Sequence, residues 1–133
     1  MADFLSVAQR SLLMSKIRSK DTKPELSMAR ILDEARLPYV RHANLPGTPD
    51  FLVDGRVIVH TDGDFWHGKH FSKIERTLKT FWKNKIRNNM RRDARVDRRL
   101  RRMGFSVLRI WESDLRNEGK CLRRIARALE QQG

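Results

Sequence analysis

The sequence predicts an α/β fold with a mixed β-sheet flanked by helices, on the strength of three observations. The chain has 133 residues, a length that suits one domain with a single core. Short apolar runs typical of strands, such as Phe51–Val53 and Val57–Val59, are followed by a long polar segment with helical spacing. Another apolar run, Phe105–Ile110, comes after that segment, and a strand reached through a long helix usually pairs in parallel.

The first predicted helix begins at Thr22 and ends near residue 36. Thr22 is a favourable N-cap, Pro24 is tolerated in the first turn, and Glu25 completes a capping box. Helical spacing predicts one apolar face, made of Leu26, Ala29, Ile31, Leu32 and Ala35. Residues 1–20 are polar and basic, which is typical of either a helix or an arm that contacts DNA.

Three strands are predicted next, followed by a helix, a strand and a last helix. Leu37–His42 is the first strand, and Asp54-Gly55 is a hairpin signal between Phe51–Val53 and Arg56–Thr61. The remaining elements are a helix over about 77–103 that stops at Gly104, a buried strand over 105–111, and a helix over 119–131 with Leu122, Ile125, Ala126 and Leu129 on one side. The order α-β-β-β-α-β-α is that of the PD-(D/E)XK nuclease core.

The charge of the chain favours a polyanionic partner. Lys and Arg number 29 against 16 Asp and Glu, which leaves a formal charge of +13. Ten of the basic residues fall between Lys83 and Arg102 with only two acids, and such a helix is expected to contact phosphates. No apolar stretch is long enough to cross a membrane, and a lone Cys121 predicts a reducing, cytoplasmic setting near the nucleoid.

Residues suited to catalysis cluster around the predicted hairpin. Its geometry places Asp50, before one strand, across from Thr61 and Asp62 at the end of the next. Carboxylates gathered there make an oxygen site suited to Mg²⁺, and His67 can accept the proton of an attacking water. The candidate acidic residues also have purely structural interpretations: Glu25 can be the capping-box acid, Asp50 a loop cap, and Asp62 and Asp64 turn residues.

Two aromatic pairs, Phe65-Trp66 and Phe81-Trp82, stand out in this charged chain. Aromatic side chains next to a basic surface can stack on bases or wedge between base steps. They can also fill the core, and for Phe81 the core is the first expectation.

The sequence resembles the very-short-patch repair (Vsr) DNA mismatch endonucleases over about residues 14–130. The matching segments are Ser19-Lys20-Asp21-Thr22 with Glu25, Leu45-Pro46-Gly47-Thr48-Pro49-Asp50-Phe51, Gly63-Asp64-Phe65-Trp66-His67, Phe81-Trp82, Gly104-Phe105-Ser106-Val107-Leu108 and Trp111-Glu112. The resemblance implies a PD-(D/E)XK-like monomer that nicks double-stranded DNA 5′ of the thymine of a T:G mismatch. It leaves open whether a methylase or repair protein is a partner.

The resemblance also implies a part for each matching residue. Asp50 would bind Mg²⁺ together with a backbone carbonyl of Thr61, His67 would be the general base, and Glu25 a supporting acid. Two ions are expected. The DNA-contacting residues would be the wedge and the basic helix: Phe65, Trp66, Trp82, Lys83, Lys85, Arg87, Arg91 and Arg92.

This chain departs from the typical family pattern at two places. Typical members carry a zinc site, and the corresponding positions here are Asp64, Lys69, Phe71 and Ser113, so no structural zinc is expected. Asp62 replaces a histidine that supports the reaction, which predicts that Asp50 and Asp62 both lie near the metal and both act in catalysis.

Three functional hypotheses remain open at this point. The first is a mismatch-nicking repair enzyme. The second is a nuclease of the same chemistry without mismatch preference, serving in restriction, phage defence or homing. The third is a DNA-binding module without activity, which the combination of Glu25, Asp50, Asp62 and His67 argues against.

Overall fold

A computed structural model describes residues 22–64 and 67–132 of the chain. The helices are α1 (Lys23–Glu34), α2 (Phe71–Ile74), α3 (Thr80–Arg102) and α4 (Glu118–Gln132), and the strands are β1 (Tyr39–Arg41), β2 (Phe51–Val53), β3 (Val57–Asp62) and β4 (Ser106–Trp111). Two short 3₁₀ helices, Glu75–Thr77 and Glu112–Arg116, complete the described part. The predicted arm over residues 1–20 lies outside the described residues.

The four strands form one mixed sheet in the order β1-β2-β3-β4. The first three pair antiparallel, and β4 pairs with β3 in parallel, as the long intervening helix predicted. The hairpin turns at Asp54 and Gly55, which both have the positive φ of a type I′ turn, 52° and 65°. The predicted mixed sheet with flanking helices is confirmed.

The two faces of the sheet carry separate cores because side chains alternate along each strand. Val57 and Val59 of β3 belong to the larger core, which contains buried residues of α1 and α4. Ile58 belongs to the smaller core, with Leu100 of α3 and Val107 of β4. By the same alternation, Thr61 lies on the α1 face of β3, whereas His60 and Asp62 lie on the α3 face.

Three predicted details of the helices and strands are wrong. Leu26 is 52% exposed, and Glu25 takes a place in the buried face of α1 with Met28, Ile31 and Leu32. In α4 the buried alanine is Ala128 rather than Ala126. Strand β4 is not buried throughout, since only its second and fifth residues are fully buried.

Candidate active site

Asp50 immediately precedes β2, and its carboxylate is held against the neighbouring strand. The backbone N–H of Thr61 donates to Oδ2 of Asp50 at 2.8 Å, and the Thr61 hydroxyl donates to the same oxygen at 3.1 Å. This confirms the prediction that the hairpin brings Asp50 beside Thr61. Both hydrogen bonds from Thr61 are accepted by the same carboxylate oxygen, Oδ2.

Glu25 and His42 join Asp50 on the α1 side of the sheet. Glu25 is only 3% exposed. Its carboxylate accepts from the Thr22 hydroxyl at 3.1 Å and from Arg41 at 3.2 Å, and it lies 3.1 Å from Nε2 of His42. Thr22 is the N-cap of α1, but its side chain makes no capping bond to the backbone, so the expected capping box is wrong and Glu25 faces the site instead.

Burial raises the pKa of Asp50 from its ordinary 3.8 to about 6. The hydrogen bonds from Thr61 act in the opposite direction, whereas the nearby negative charges of Glu25 and Asp62 raise the pKa further. A carboxylate whose charge is this unfavourable in the protein alone is well suited to bind a cation.

His67 lies on the α3 side of the sheet, in contact with two carboxylates. Its Nδ1 is 2.5 Å from Oδ2 of Asp93 on α3 and 3.8 Å from Oδ2 of Asp62 at the end of β3. When Nδ1–H donates a hydrogen bond to Asp93, Nε2 of the neutral ring is left as the acceptor, which is the form that a general base requires.

Arg109 of β4 links the two carboxylates beside His67, Asp62 and Asp93, to Asp97 of α3. Its Nη1 donates to both oxygens of Asp62 at 3.0 Å and lies 3.7 Å from Asp93. Its Nε and Nη2 donate to the two oxygens of Asp97 at 2.8 Å each, a bidentate pair. One guanidinium therefore contacts three carboxylates, two of which, Asp62 and Asp93, also lie beside His67.

The electrostatics of this group follow from burial and from Arg109. Burial raises the pKa of Asp62, although the neighbouring His67 and Arg109 oppose the shift. For Asp93 burial acts upward as well, but the hydrogen bond and charge of His67 outweigh it and the pKa is lowered. Burial, together with the charge of Arg109, lowers the pKa of the nearby His60 to about 4, so this ring is neutral near pH 7.

Two groups of side chains in the described residues have the geometry to hold a metal ion. One is Glu25, His42 and Asp50, and the other is Asp62, His67 and Asp93; in each, the ligand atoms lie within 4.8 Å of one another. The structure thus assigns Asp50 and Asp62 to different groups. That both carboxylates bind metal remains a prediction.

The four positions that the resemblance implies to be zinc ligands in typical members lie near one another. Lys69 donates from Nζ to the Ser113 hydroxyl, and the Ser113 N–H donates to Oδ1 of Asp64 at 3.4 Å. Asp64 and Phe71 line a cavity of about 320 Å³. Hydrogen bonds therefore tie the loop after β3 to the 3₁₀ helix after β4.

The candidate DNA-contacting residues of α3 differ in their surroundings. Phe81 is 65% exposed, so the expectation of a core position is wrong. It packs edge-on against Trp82, with ring centroids 4.9 Å apart. Arg87 pairs with Glu75, whereas Arg91 and Arg92 are exposed. Phe65 and Trp66 lie outside the described residues.

Four residues of the site escaped the sequence analysis, although three of them carry a signal. Asp93 and Asp97 are the two acids of a strongly basic helix and lie four residues apart, so they share one face. Arg109 interrupts an apolar strand, which indicates a buried partner of opposite charge. His42 has no comparable signal, because it follows a short strand in a polar loop.

Comparisons with known proteins agree on one family. A family model described as DNA mismatch endonuclease Vsr matches residues 2–73. The protein named DNA mismatch endonuclease Vsr of Escherichia coli (strain K12) is 41% identical over 124 residues, which cover 90% of this chain and 80% of the relative. A protein of Neisseria meningitidis serogroup C, named Type II nicking enzyme V.NmeDIP, is 37% identical over 133 residues, or 96% of this chain and 90% of the relative.

The mixed sheet, the carboxylate and histidine site and the named relatives place the chain in the class of endodeoxyribonucleases. Within that class it belongs to the Vsr family, as the resemblance of its motifs indicated. None of the helices in residues 22–64 and 67–132 has the length and apolar character that a membrane span requires.

Proposed function

We propose that this protein is a Mg²⁺-dependent endonuclease with a PD-(D/E)XK-like single domain that nicks duplex DNA 5′ of the thymine of a T:G mismatch. The observation that carries the proposal is the contact of 2.5 Å between His67 and Asp93, on the α3 side of the sheet next to Asp62 at the end of β3. The relative of Escherichia coli, named as a DNA mismatch endonuclease, supports the same activity.

His67 is the general base in this proposal. Asp93 accepts a hydrogen bond from Nδ1–H of His67 and fixes the ring, so that Nε2 can take a proton from the water that attacks the phosphorus. The bond from phosphorus to the 3′ oxygen breaks, and that oxygen leaves with a proton from solvent, which gives a 5′-phosphate and a 3′-hydroxyl. Asp62 and Arg109 act through charge and position, because Asp62 lies 3.8 Å from His67 and Arg109 holds Asp62 there.

Asp50, Thr61 and Glu25 form the metal side of the site. The potential ligands fit a divalent ion. Burial raises the pKa of Asp50, and Glu25 is a second buried carboxylate whose ligand atom lies within 4.8 Å of that of Asp50. When bound, the ion would neutralise negative charge on the reacting phosphate. The second ion remains a prediction; at Asp62 it would compete with Arg109, whose Nη1 already contacts both carboxylate oxygens.

Double-stranded DNA is the proposed partner of a monomeric enzyme, bound along α3. Ten basic residues of this helix lie between Lys83 and Arg102, and its last turn alone contains three arginines. Phe65, Trp66 and Trp82 are proposed as the wedge that opens the duplex, and residues 1–20 as an arm on the DNA. The other proposed phosphate contacts are Lys83, Lys85, Arg87, Arg91 and Arg92.

A nuclease of the same chemistry without mismatch preference is the second candidate. Several relatives, including those of Neisseria meningitidis, are named type II nicking enzymes. Asp62 in place of the histidine of typical members also favours this alternative. Substrate comparison separates the two candidates, because they share Asp50, His67 and Asp93.

The test is cleavage of end-labelled duplexes, one with a T:G mismatch and one fully paired, in Mg²⁺ or in EDTA. A Mg²⁺-dependent nick beside the mismatched thymine alone supports the repair activity, and equal cutting of both duplexes supports the second candidate. Absence of cutting under every condition would contradict both.

Variants of the proposed general base, His67, and of its carboxylate partner, Asp93, sharpen this test. We expect His67→Ala or Asp93→Asn to slow cleavage by roughly 10²–10⁴-fold, the usual contribution of a general base, with DNA binding retained. Asp54→Asn is the matched control, because Asp54 lies on the exposed hairpin turn with φ 52°, a conformation that Asn tolerates. Loss of DNA binding in the His67 variant, with cleavage of bound DNA unchanged, would contradict the assignment.

A further inference from the structure

We propose that Nε2 of His42 is a direct ligand of the metal at the Asp50 site, so that the site binds Mn²⁺ and similar transition-metal ions more tightly than Mg²⁺. The inference rests on the proposed function for the location of the metal. The inference goes beyond the proposed function by naming a nitrogen ligand and the class of ion that this ligand selects.

The nitrogen of His42 is placed for such a bond. Nε2 is buried and makes no hydrogen bond within the part of the chain that the structure describes. Oε1 of Glu25 is 3.1 Å away but is not aligned for a hydrogen bond, and the ligand atoms of His42, Glu25 and Asp50 all fall within 4.8 Å of one another. A buried ring nitrogen without a hydrogen bond is costly for a protein, and a metal bond satisfies it.

The backbone holds His42 at this position. Its φ of 51° lies in the left-handed region, which is uncommon for residues other than glycine. Its backbone N–H donates to the carbonyl of Asp50 at 3.2 Å, so the two candidate ligands are fixed relative to each other. A left-handed residue held by the neighbouring loop agrees with a functional constraint at His42.

The second group of potential ligands is less suited to an ion. Both oxygens of Asp62 already accept from Arg109, and Nδ1 of His67 is engaged with Asp93. In the Asp50 group, Arg41 contacts Glu25, but the hydrogen bonds to Asp50 come from neutral Thr61 groups. The Asp50 group therefore retains negative charge for a divalent cation.

Ligand chemistry then predicts the preferred metal. Mg²⁺ favours oxygen ligands and water, whereas imidazole suits transition metals, whose affinity for nitrogen sites rises along the series from Mn²⁺ to Cu²⁺. Replacing His42 with Gln, whose amide can offer only an oxygen, is expected to weaken Mn²⁺ binding roughly tenfold or more. The same substitution is expected to change Mg²⁺ binding much less.

The experiment measures Mn²⁺ binding to the full chain without DNA. Electron paramagnetic resonance counts free Mn²⁺ during a titration, and addition of Mg²⁺ measures competition. Spin-echo modulation on the bound Mn²⁺ then reports whether a ¹⁴N nucleus is coordinated. The chain contains four histidines, so single Gln variants of His42, His60, His67 and His70 assign the nitrogen.

We expect ¹⁴N modulation in the wild-type protein and in the other three variants, and its loss only in His42→Gln. Wild-type protein without ¹⁴N modulation, or modulation lost in His67→Gln instead, would overturn the inference whether or not a variant folds well. Cleavage is scored separately: a His42-ligated Mn²⁺ in a protein that cuts no DNA upholds this inference while the proposed function fails. Mg²⁺-dependent nicking, together with no ¹⁴N modulation from the bound Mn²⁺, would support the proposed function and contradict this inference.

Discussion

Asn in place of Asp50 is expected to stabilise the metal-free protein at neutral and alkaline pH. Burial holds the pKa of Asp50 at about 6 in the folded protein, against an ordinary value of 3.8. Each tenfold change in a proton equilibrium corresponds to about 1.4 kcal/mol, so ionisation of Asp50 costs the folded state on the order of 3 kcal/mol. Asn is neutral and keeps an oxygen that can accept from Thr61.

The sign of the effect follows from which state holds the proton. Below pH 3.8 Asp50 is protonated in both states, and its contribution to stability is fully present. Between pH 3.8 and about 6 the unfolded chain loses this proton while the folded protein keeps it, so stability falls as the pH rises. Above pH 6 the loss is complete, and the neutral variant avoids it.

The assay is urea unfolding of both proteins in EDTA at pH 4 and at pH 8. The difference in unfolding free energy, variant minus wild type, is expected to rise by about 2.5 kcal/mol between the two conditions, because a small part of the effect is already present at pH 4. In buffer without EDTA, Mn²⁺ at pH 8 is expected to stabilise the wild type more than the variant, because the variant lacks one carboxylate ligand. A difference that stays constant with pH, or that falls, would refute the reasoning.

Three further predictions concern the ion-pair network, the backbone and the basic helix. Arg109→Met leaves three carboxylates without their cation and is expected to cost about 3–5 kcal/mol in urea unfolding; a neutral effect would contradict the network. Gly47→Ala, at φ 77°, brings a Cβ to 2.6 Å from Val96 and is expected to cost roughly 3 kcal/mol, whereas Gly55→Ala, at φ 65° with open space, costs about 1 kcal/mol; equal losses would refute the clash. Neutralising Arg91–Arg92 with Gln is expected to lower the salt dependence of DNA binding by about 2 on a double-logarithmic plot, since each phosphate contact contributes about 0.9. An unchanged slope would remove these two residues from the DNA interface.

The fold was largely predictable because its signals are local. The hairpin is specified by Asp54-Gly55, whose residues both adopt positive φ. The parallel pairing of β4 follows from the long helix that precedes it. The buried face of α1 was harder to predict, because hydropathy alone assigns Leu26 to the core and Glu25 to the surface. In the structure Leu26 is exposed and Glu25 is buried.

The site was predictable only where the chain itself brings residues together. The turn fixes Asp50 next to Thr61, so their contact could be inferred from spacing. Asp93 and Arg109 come from α3 and β4, and their contacts depend on how those elements pack on the sheet, which composition cannot specify. The same packing separates Asp50 and Asp62, because neighbouring residues of β3 lie on opposite faces.

The division of β3 between two faces has a consequence for divergence within the family. Thr61 contacts the Asp50 group, and the adjacent Asp62 contacts the group of His67 and Arg109. Changes on the α1 side can therefore alter which ion the proposed metal site would take up while the histidine and its carboxylates stay as they are. Changes on the α3 side can replace one charge pattern around the histidine with another while the proposed metal site is preserved. A single strand thus lets selection adjust the proposed metal site and the proposed general base one at a time.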